Sequence, residues 1–293
     1  MRAEPPLALS RAASESHSTS RKWCAGSIAS GKANFYPAGE LVDRVNSFLQ
    51  TEVTGPLGSF RLHLRQEARR WHVWPGVAEA CFLFPLVGVV AIVLARAHKP
   101  LFRFVTNEDS VLEWPQFIGF AAALIFALAC AWRFKKVGRP LLALAYLAFG
   151  LGCFFIAGEE IAWGQRIFGY GTPEGLEEIN EQKEVTVHNI DVVQQFTNGV
   201  YLLAGLYGSI GAWIVRWRWR HRPSELVDLL MPPLFLTAAF FVMFVYKFLR
   251  LGFFRESGFT VTRAGEWAEF CLALGFFAFA CLQWVRLRGP AVK

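Results

Sequence analysis

Six long apolar runs, separated by short clusters of charged residues, constrain the fold more than any other feature of the sequence. A run of about 20 apolar residues is long enough to cross a bilayer as a helix. A membrane-spanning β-barrel would instead show alternating segments of about ten residues. The sequence therefore predicts an all-α protein, a six-span transmembrane helix bundle. The predicted spans cover about residues 78–95, 115–132, 140–158, 199–215, 229–249 and 270–285.

The composition agrees with a membrane protein and argues against a nucleic-acid partner. Hydrophobic residues make up 54% of the chain and charged residues only 18%. The formal net charge is +7, but the basic residues lie beside the spans, where orientation and anionic lipid account for them. Five of the six cysteines fall inside apolar runs without metal-binding spacing, which favours small buried hydrophobes: Cys81, Cys130, Cys153, Cys271 and Cys281.

The chain divides into three regions by composition. Residues 1–55 are rich in Ser, Ala and Arg and lack periodicity, so they predict a disordered N-terminal tail, or a mis-assigned start of the chain. Residues 56–77 form a basic juxtamembrane segment, in which Arg61, Arg65 and Arg69 repeat at a spacing of four. Residues 78–288 hold the six spans and a long outer loop at 159–198.

The short connections carry opposite charges on the two sides of the membrane. Lysines and arginines lie before the first span, between the second and third, between the fourth and fifth, and after the sixth. The positive-inside rule places this side and both termini in the cytoplasm. Arg250, Arg255 and Arg263, which follow the fifth span, are an exception. The glutamates gather on the other side, at the mouths of the second, third and sixth spans.

The stretch Gly158–Gly169 places two adjacent glutamates directly after the third span. Charged groups at that depth are costly unless they are paired, so this position indicates a site or a network. If the helix continues past Gly158, then Glu159, Trp163 and Arg166 share one stripe. An internal ion bridge between Glu159 and Arg166 is the alternative to a functional role.

A second polar stretch, Asn180–Asn189, leads into the fourth span. A helix would align Asn180, Glu184 and His188, but the valines and threonine also fit an extended segment. His188 could be a metal ligand, a general base or a structural hydrogen-bonding residue. Further carboxylates lie in Glu113-Trp114-Pro115 and in Arg263–Glu269. Such groups could bind a divalent metal ion or be neutralised by nearby arginines.

These two stretches resemble a family of uncharacterised bacterial polytopic membrane proteins. The shared pattern is G-E-E-I-x-W-G-Q-R-I-F, followed by N-x-Q-x-E-x-x-x-H-N, with an acidic element before an earlier span. The resemblance covers the six spans and implies topology and candidate residues, but no reaction. Ala162 stands where the family pattern has serine and Lys183 where it has glycine, so a serine nucleophile is not expected. The matching positions are Gly158, Glu159, Glu160, Trp163, Gly164, Gln165, Arg166, Phe168, Asn180, Gln182, Glu184, His188 and Asn189.

Three functions remain open at this point. The first is an inner-membrane enzyme that acts on an anionic lipid or lipid-linked substrate at the outer face. The second is a structural or assembly protein whose polar cap binds a partner, and the third is a transporter, which would need ionisable groups near the membrane midplane. For the enzyme, the candidate catalytic residues are Glu159, Glu160 and His188, the candidate substrate-binding residues are Gln165, Arg166, Asn189 and Arg263, and the candidate metal ligands are Glu160, His188 and Glu266.

Overall fold

The computed structural model describes residues 55–106, 111–178, 180, 184–187, 190–219, 224–253 and 262–289. Within these ranges every regular element is a helix, which confirms the predicted all-α class. The predicted tail, apart from Gly55, lies outside the described residues. Six helical stretches are long and apolar enough to cross a membrane: Pro75–Ala95, Glu113–Lys136, Pro140–Glu160, Val192–Arg218, Glu225–Gly252 and Gly265–Arg288.

Some of the six spans contain more than one helical element. Single turns of tighter or wider helix occur at Ala162–Gly164, Tyr207–Gly211 and Leu234–Leu236. The α-helices are α1 (Pro56–Arg70), α2 (Pro75–Ala95), α3 (Lys99–Thr106), α4 (Glu113–Lys136), α5 (Pro140–Glu160), α6 (Gln165–Phe168), α7 (Glu174–Glu177), α8 (Asp191–Leu206), α9 (Ala212–Arg218), α10 (Glu225–Leu230), α11 (Thr237–Gly252) and α12 (Gly265–Arg288).

Proline marks the start of several helices. Pro56, Pro75 and Pro140 occupy the first turn of α1, α2 and α5, where the missing amide proton has no helical partner to lose. The second span begins at Glu113, two residues before the predicted Pro115. This glutamate lies in the first turn of α4, where a negative charge interacts favourably with the helix dipole.

The helices pack in two groups that meet along α12. Helix α4 packs closely against α5 and α12, while α11 packs against α8, α2 and α12. Glycine allows the close approach of the fourth span to α11. A Cβ atom at Gly205 would lie 2.6 Å from the Phe244 nitrogen, and one at Gly208 would lie 2.3 Å from the Phe240 ring. The wide turn Tyr207–Gly211 lies at this contact.

The fifth span is interrupted, whereas the sequence predicted one continuous helix over 229–249. Helix α10 ends at Leu230, and regular helix resumes only at Thr237. Pro232 and Pro233 explain the break, because proline cannot donate the helical hydrogen bond. The carbonyl groups of Met231 and Pro232 accept hydrogen bonds from Arg216, each at 2.8 Å. The arginine thus satisfies backbone groups that an apolar environment would leave unpaired.

The two ends of the bundle differ in charge. The acidic end holds Glu113, the end of α5, the described residues between 161 and 187, and the start of α12. The basic end holds α1, the connection between α4 and α5, the end of α9 and the start of α10. The assignment of the basic end to the cytoplasm stays a prediction.

A cluster of five charged residues lies at the basic end, and we call it the basic-end cluster. Asp228 is 1% exposed and contacts three guanidinium groups: Arg70 at 2.5 Å, Arg216 at 3.2 Å and Arg286 at 3.2 Å. Glu67 pairs with Arg216 at 2.6 Å and accepts the Leu234 amide at 2.6 Å. Burial raises the pKa of Glu67 above its usual value, although Arg216 acts in the opposite direction.

Candidate functional site

A cavity of about 490 Å³ opens at the acidic end of the bundle, between helices α5, α8, α11 and α12. Its walls toward the middle of the spans are apolar and include Gly152, Phe155, Ile156, Phe196 and Val200. Its polar lining comprises Glu113, Glu159, Glu160, Glu184, Gln194, Thr197, Asn198, Tyr201, Lys247, Arg250, Thr262, Arg263, Glu266 and Glu269. The cavity therefore combines an apolar chamber with a charged end.

The apolar wall reaches the lipid-facing surface of the protein. Phe155, Phe196 and Val200 are 38%, 73% and 41% exposed. Helix α5 packs mainly on α4, and α8 packs mainly on α11, so the cavity separates α5 from α8. The cavity is therefore open on its apolar side, between α5 and α8.

The chain turns sharply after Glu160, where α5 ends. Ala162, Trp163 and Gly164 have positive φ angles of 46°, 53° and 91°. Glycine adopts this left-handed conformation easily, but alanine and tryptophan rarely do, and such strain persists only where the surroundings impose it. The helix therefore ends at Glu160, and the condition under which Glu159, Trp163 and Arg166 would share one helical stripe is not met. Glu159 and Trp163 still meet, through the turn and not along a helical stripe.

Glu159 links this turn to the loop that contains residues 184–187. Its side chain is buried, and Oε1 accepts a hydrogen bond of 2.5 Å from Trp163 Nε1. Oε2 accepts the backbone amide of Val187 at 2.8 Å. A carboxylate with two such donors is fixed in place, so Glu159 lines the cavity as a positioned group.

Gln165 and Asn180 anchor the same loop from both sides. Gln165 Oε1 accepts the Val185 amide at 2.8 Å, and its Nε2 donates to Thr172 Oγ1 at 2.9 Å. The Asn180 side-chain amide donates to the carbonyl groups of Glu184 and Thr186, at 3.0 and 2.5 Å. We call Glu159, Gln165, Asn180 and the segment 184–187 the loop network. Residues 184–187 form neither a helix nor a strand, so the described part of Asn180–Asn189 does not show the helical alignment and leaves the extended alternative undecided.

The remaining residues predicted for the site are placed as follows. Glu160, Arg263 and Glu266 line the cavity with Glu159. Gln165 lies in the loop network and does not line the cavity. Arg166 lies in α6, with its side chain outside the described part of the structure, and His188 and Asn189 also lie outside the described residues. In the described part of the chain, no three His, Cys, Asp or Glu residues are grouped to hold a metal ion.

Lys247, which lies inside the apolar run of the fifth span, was not among the residues predicted for the site. The side chain is 3% exposed, and Nζ lies 3.2 Å from Glu269 Oε1 and 2.9 Å from Asn198 Oδ1. The ammonium group also lies 4.9 Å from the centre of the Tyr201 ring. The signal in the sequence was a single lysine inside an apolar run, which marks a functional position by default.

Two of the three arginines that are exceptions to the positive-inside pattern also have a structural explanation. Arg250 and Arg263 both line the cavity, and Arg250 Nη1 donates to Tyr246 Oη at 3.2 Å. Glu266 lies at the same end, where its carbonyl and carboxylate accept from Gln116 Nε2 at 2.9 and 3.3 Å. These cations therefore balance cavity carboxylates, while Arg255 lies outside the described residues.

The loop network makes a direct prediction about Glu159. The variant Glu159→Gln keeps the size of the side chain but replaces one oxygen with an NH2 group and removes the charge from the other, so the Val187 amide faces either no acceptor or a weaker, neutral one. We expect the Val187 amide to exchange with solvent about tenfold faster, because a buried donor without a partner costs about 1 to 3 kcal/mol. Hydrogen–deuterium exchange of the purified protein measures this. Glu174→Gln, in the exposed helix α7, should leave exchange unchanged, and an equal change in both variants would contradict the prediction.

Comparisons with known proteins leave the function to be argued from this geometry. No protein-family model, curated protein or solved structure matches the chain.

Proposed function

We propose that this chain is a bacterial inner-membrane protein that binds an amphiphilic lipid or lipid-linked molecule in the acidic-end cavity and acts on its polar head. The observation that carries this proposal is the cavity's division into an apolar wall open to lipid and an end rich in ionisable groups. An acyl or prenyl chain fits the apolar wall, and an anionic head fits between Arg250 and Arg263. Both chain termini face the cytoplasm in this proposal, so that the cavity faces the outer leaflet.

The residues divide into two roles. Glu160 and Glu266 line the cavity and serve as general base and acid, or as ligands of a divalent metal ion together with His188. Arg263 binds the head group, and Arg166 and Asn189 are further candidates for this role. Glu159 and Gln165 act through the loop network, which carries the chain to Val187, the residue directly before His188. We also propose that the chain is related to the bacterial family that shares its two motifs.

A deletion strain gives the direct test. We expect its lipid or lipid-linked glycan profile to change, and the profile to be restored by the wild-type gene and by Glu174→Gln. Glu160→Gln and Glu266→Gln should reach the same abundance in the membrane but fail to restore it. Elemental analysis of the purified protein tests for the metal ion. An unchanged profile in the deletion strain would contradict the enzyme proposal.

The loop network favours a second candidate, a structural or assembly protein whose ordered outer cap binds a partner. Three residues of the shared motif, Glu159, Gln165 and Asn180, hold the loop and do not need a substrate for this. In that case Glu159→Gln would reduce the amount of protein or of its complex, and Glu160→Gln would have no effect. The two candidates are thus separated by whether the cavity variants or the loop variants lose function.

A further inference from the structure

We propose a second lipid site at the basic end, which binds a glycerophospholipid with an anionic head group. The site joins a polar cavity of about 510 Å³ beneath α1 to an apolar groove of about 370 Å³ between α2, the fourth span and α11. Trp213 lines both. A phospholipid has the same two parts, a charged head and an apolar chain joined at one point. This site is independent of the acidic-end cavity.

The charged residues around the polar cavity favour an anionic head group. Arg70, Arg216, Glu67 and Asp228 line this cavity, and their charges cancel when both carboxylates are ionised. Arg286 contacts Asp228 without lining the cavity, and it gives the whole basic-end cluster a net positive charge. Arg216 is buried and fully engaged by protein groups. Arg70 is different, because 42% of its side chain remains exposed while it contacts Asp228. It lines the cavity, and its exposed donors are available to a phosphate oxygen.

The aromatic residues locate this cavity at the level of lipid head groups. Trp217 and Trp219 line it and are 67% and 48% exposed. Exposed tryptophans of membrane proteins concentrate at the boundary between head groups and acyl chains. Arg70 therefore lies at the depth at which a phosphate is found.

The apolar groove continues from this boundary toward the middle of the spans. It is lined by Phe82, Leu86, Ile210, Ile214 and Phe241, and its few polar groups are internally bonded: Ser209 Oγ donates to the Gly205 carbonyl, and Thr237 Oγ1 accepts from Trp213. Ile214 is 61% exposed. A groove without available hydrogen-bonding groups fits a hydrocarbon chain and excludes a polar peptide. The wide turn Tyr207–Gly211 shapes one wall of the groove.

The test measures lipid retention by the purified full chain. Native mass spectrometry in detergent, with phosphatidylglycerol or phosphatidylcholine added, reports how many lipids of each kind remain bound. We expect preferential retention of phosphatidylglycerol and about a tenfold loss of apparent affinity in Arg70→Gln, since a hydrogen bond to a charged group is removed. The fold should survive, because Asp228 keeps Arg216 and Arg286.

Two further variants test whether phosphatidylglycerol binds at Arg70 and in the apolar groove. Arg69→Gln removes the neighbouring exposed arginine, which does not line the cavity, and should retain phosphatidylglycerol normally. Ile214→Trp fills the groove from its exposed side and should reduce retention without changing any charge. Equal losses in Arg69→Gln and Arg70→Gln would overturn the proposal in favour of diffuse charge attraction. Equal retention of the two lipids by the wild-type chain, or full retention by Ile214→Trp, would overturn it as well.

Discussion

The variant Asp228→Asn is expected to lower the free energy of unfolding by about 3 kcal/mol, the cost of breaking a buried ion pair. Asp228 is 1% exposed and is the shared partner of Arg70, Arg216 and Arg286. These arginines belong to α1, α9 and α12, so one carboxylate joins three helices to α10. An asparagine at this position cannot balance their charge, and among the described residues the buried Arg216 then keeps Glu67 as its one carboxylate partner.

A matched control lies on the same helix. Glu225 pairs with Arg139 at 2.7 Å, but 49% and 39% of the two side chains remain exposed. Because exposed ion pairs contribute about 0 to 1 kcal/mol, Glu225→Gln should change stability little. Unfolding in detergent micelles, followed by circular dichroism or by the accessibility of buried cysteines, compares the two variants. A similar loss in both would show that the basic-end cluster does not hold the helices together.

The sequence predicts the spans because membrane insertion depends on local composition. Runs of apolar residues and proline at the first turn placed each span to within several residues. The break at Pro232-Pro233 also had a local signal, which the long apolar run concealed. The left-handed turn at Ala162 and Trp163 had none, since these residue types rarely adopt a positive φ. Only the surrounding contacts impose that conformation.

For the candidate site too, the sequence predicts the general position but not the contacts of each side chain. Charge segregation predicted that the glutamates of several span mouths gather at one end, and Glu160 and Glu266 do line one cavity. Their roles depend on helix rotation, which residue spacing does not determine. Thus Glu159 and Glu160 are neighbours in sequence, yet the structure shows Glu159 bonded to the Val187 amide, 28 residues further along the chain. Asp228 and Arg70 meet across 158 residues, and no local pattern links them.

The variant Glu269→Gln is expected to lower the free energy of unfolding by about 3 to 5 kcal/mol, because it leaves Lys247 without its carboxylate partner inside a membrane span. Lys247 is 3% exposed, and its other polar partner, Asn198, is neutral. A neutral amide stabilises an ammonium ion less than a carboxylate does. The same unfolding measurement in detergent reports the loss. A variant as stable as the wild-type chain would show that water reaches Lys247 and that the pair is not buried in solution.

The double variant Lys247→Met/Glu269→Gln separates architecture from function. It removes both charges, so most of the lost stability should return, because a neutral pair needs no compensating charge. If the pair only supports the fold, the double variant also restores the lipid profile of the deletion strain. If a substrate head group or a coupled ion contacts the pair in the cavity, stability returns while function does not. An uptake assay in proteoliposomes then distinguishes the two remaining cases, since only a transporter would lose ion-dependent uptake when Lys247 and Glu269 become neutral.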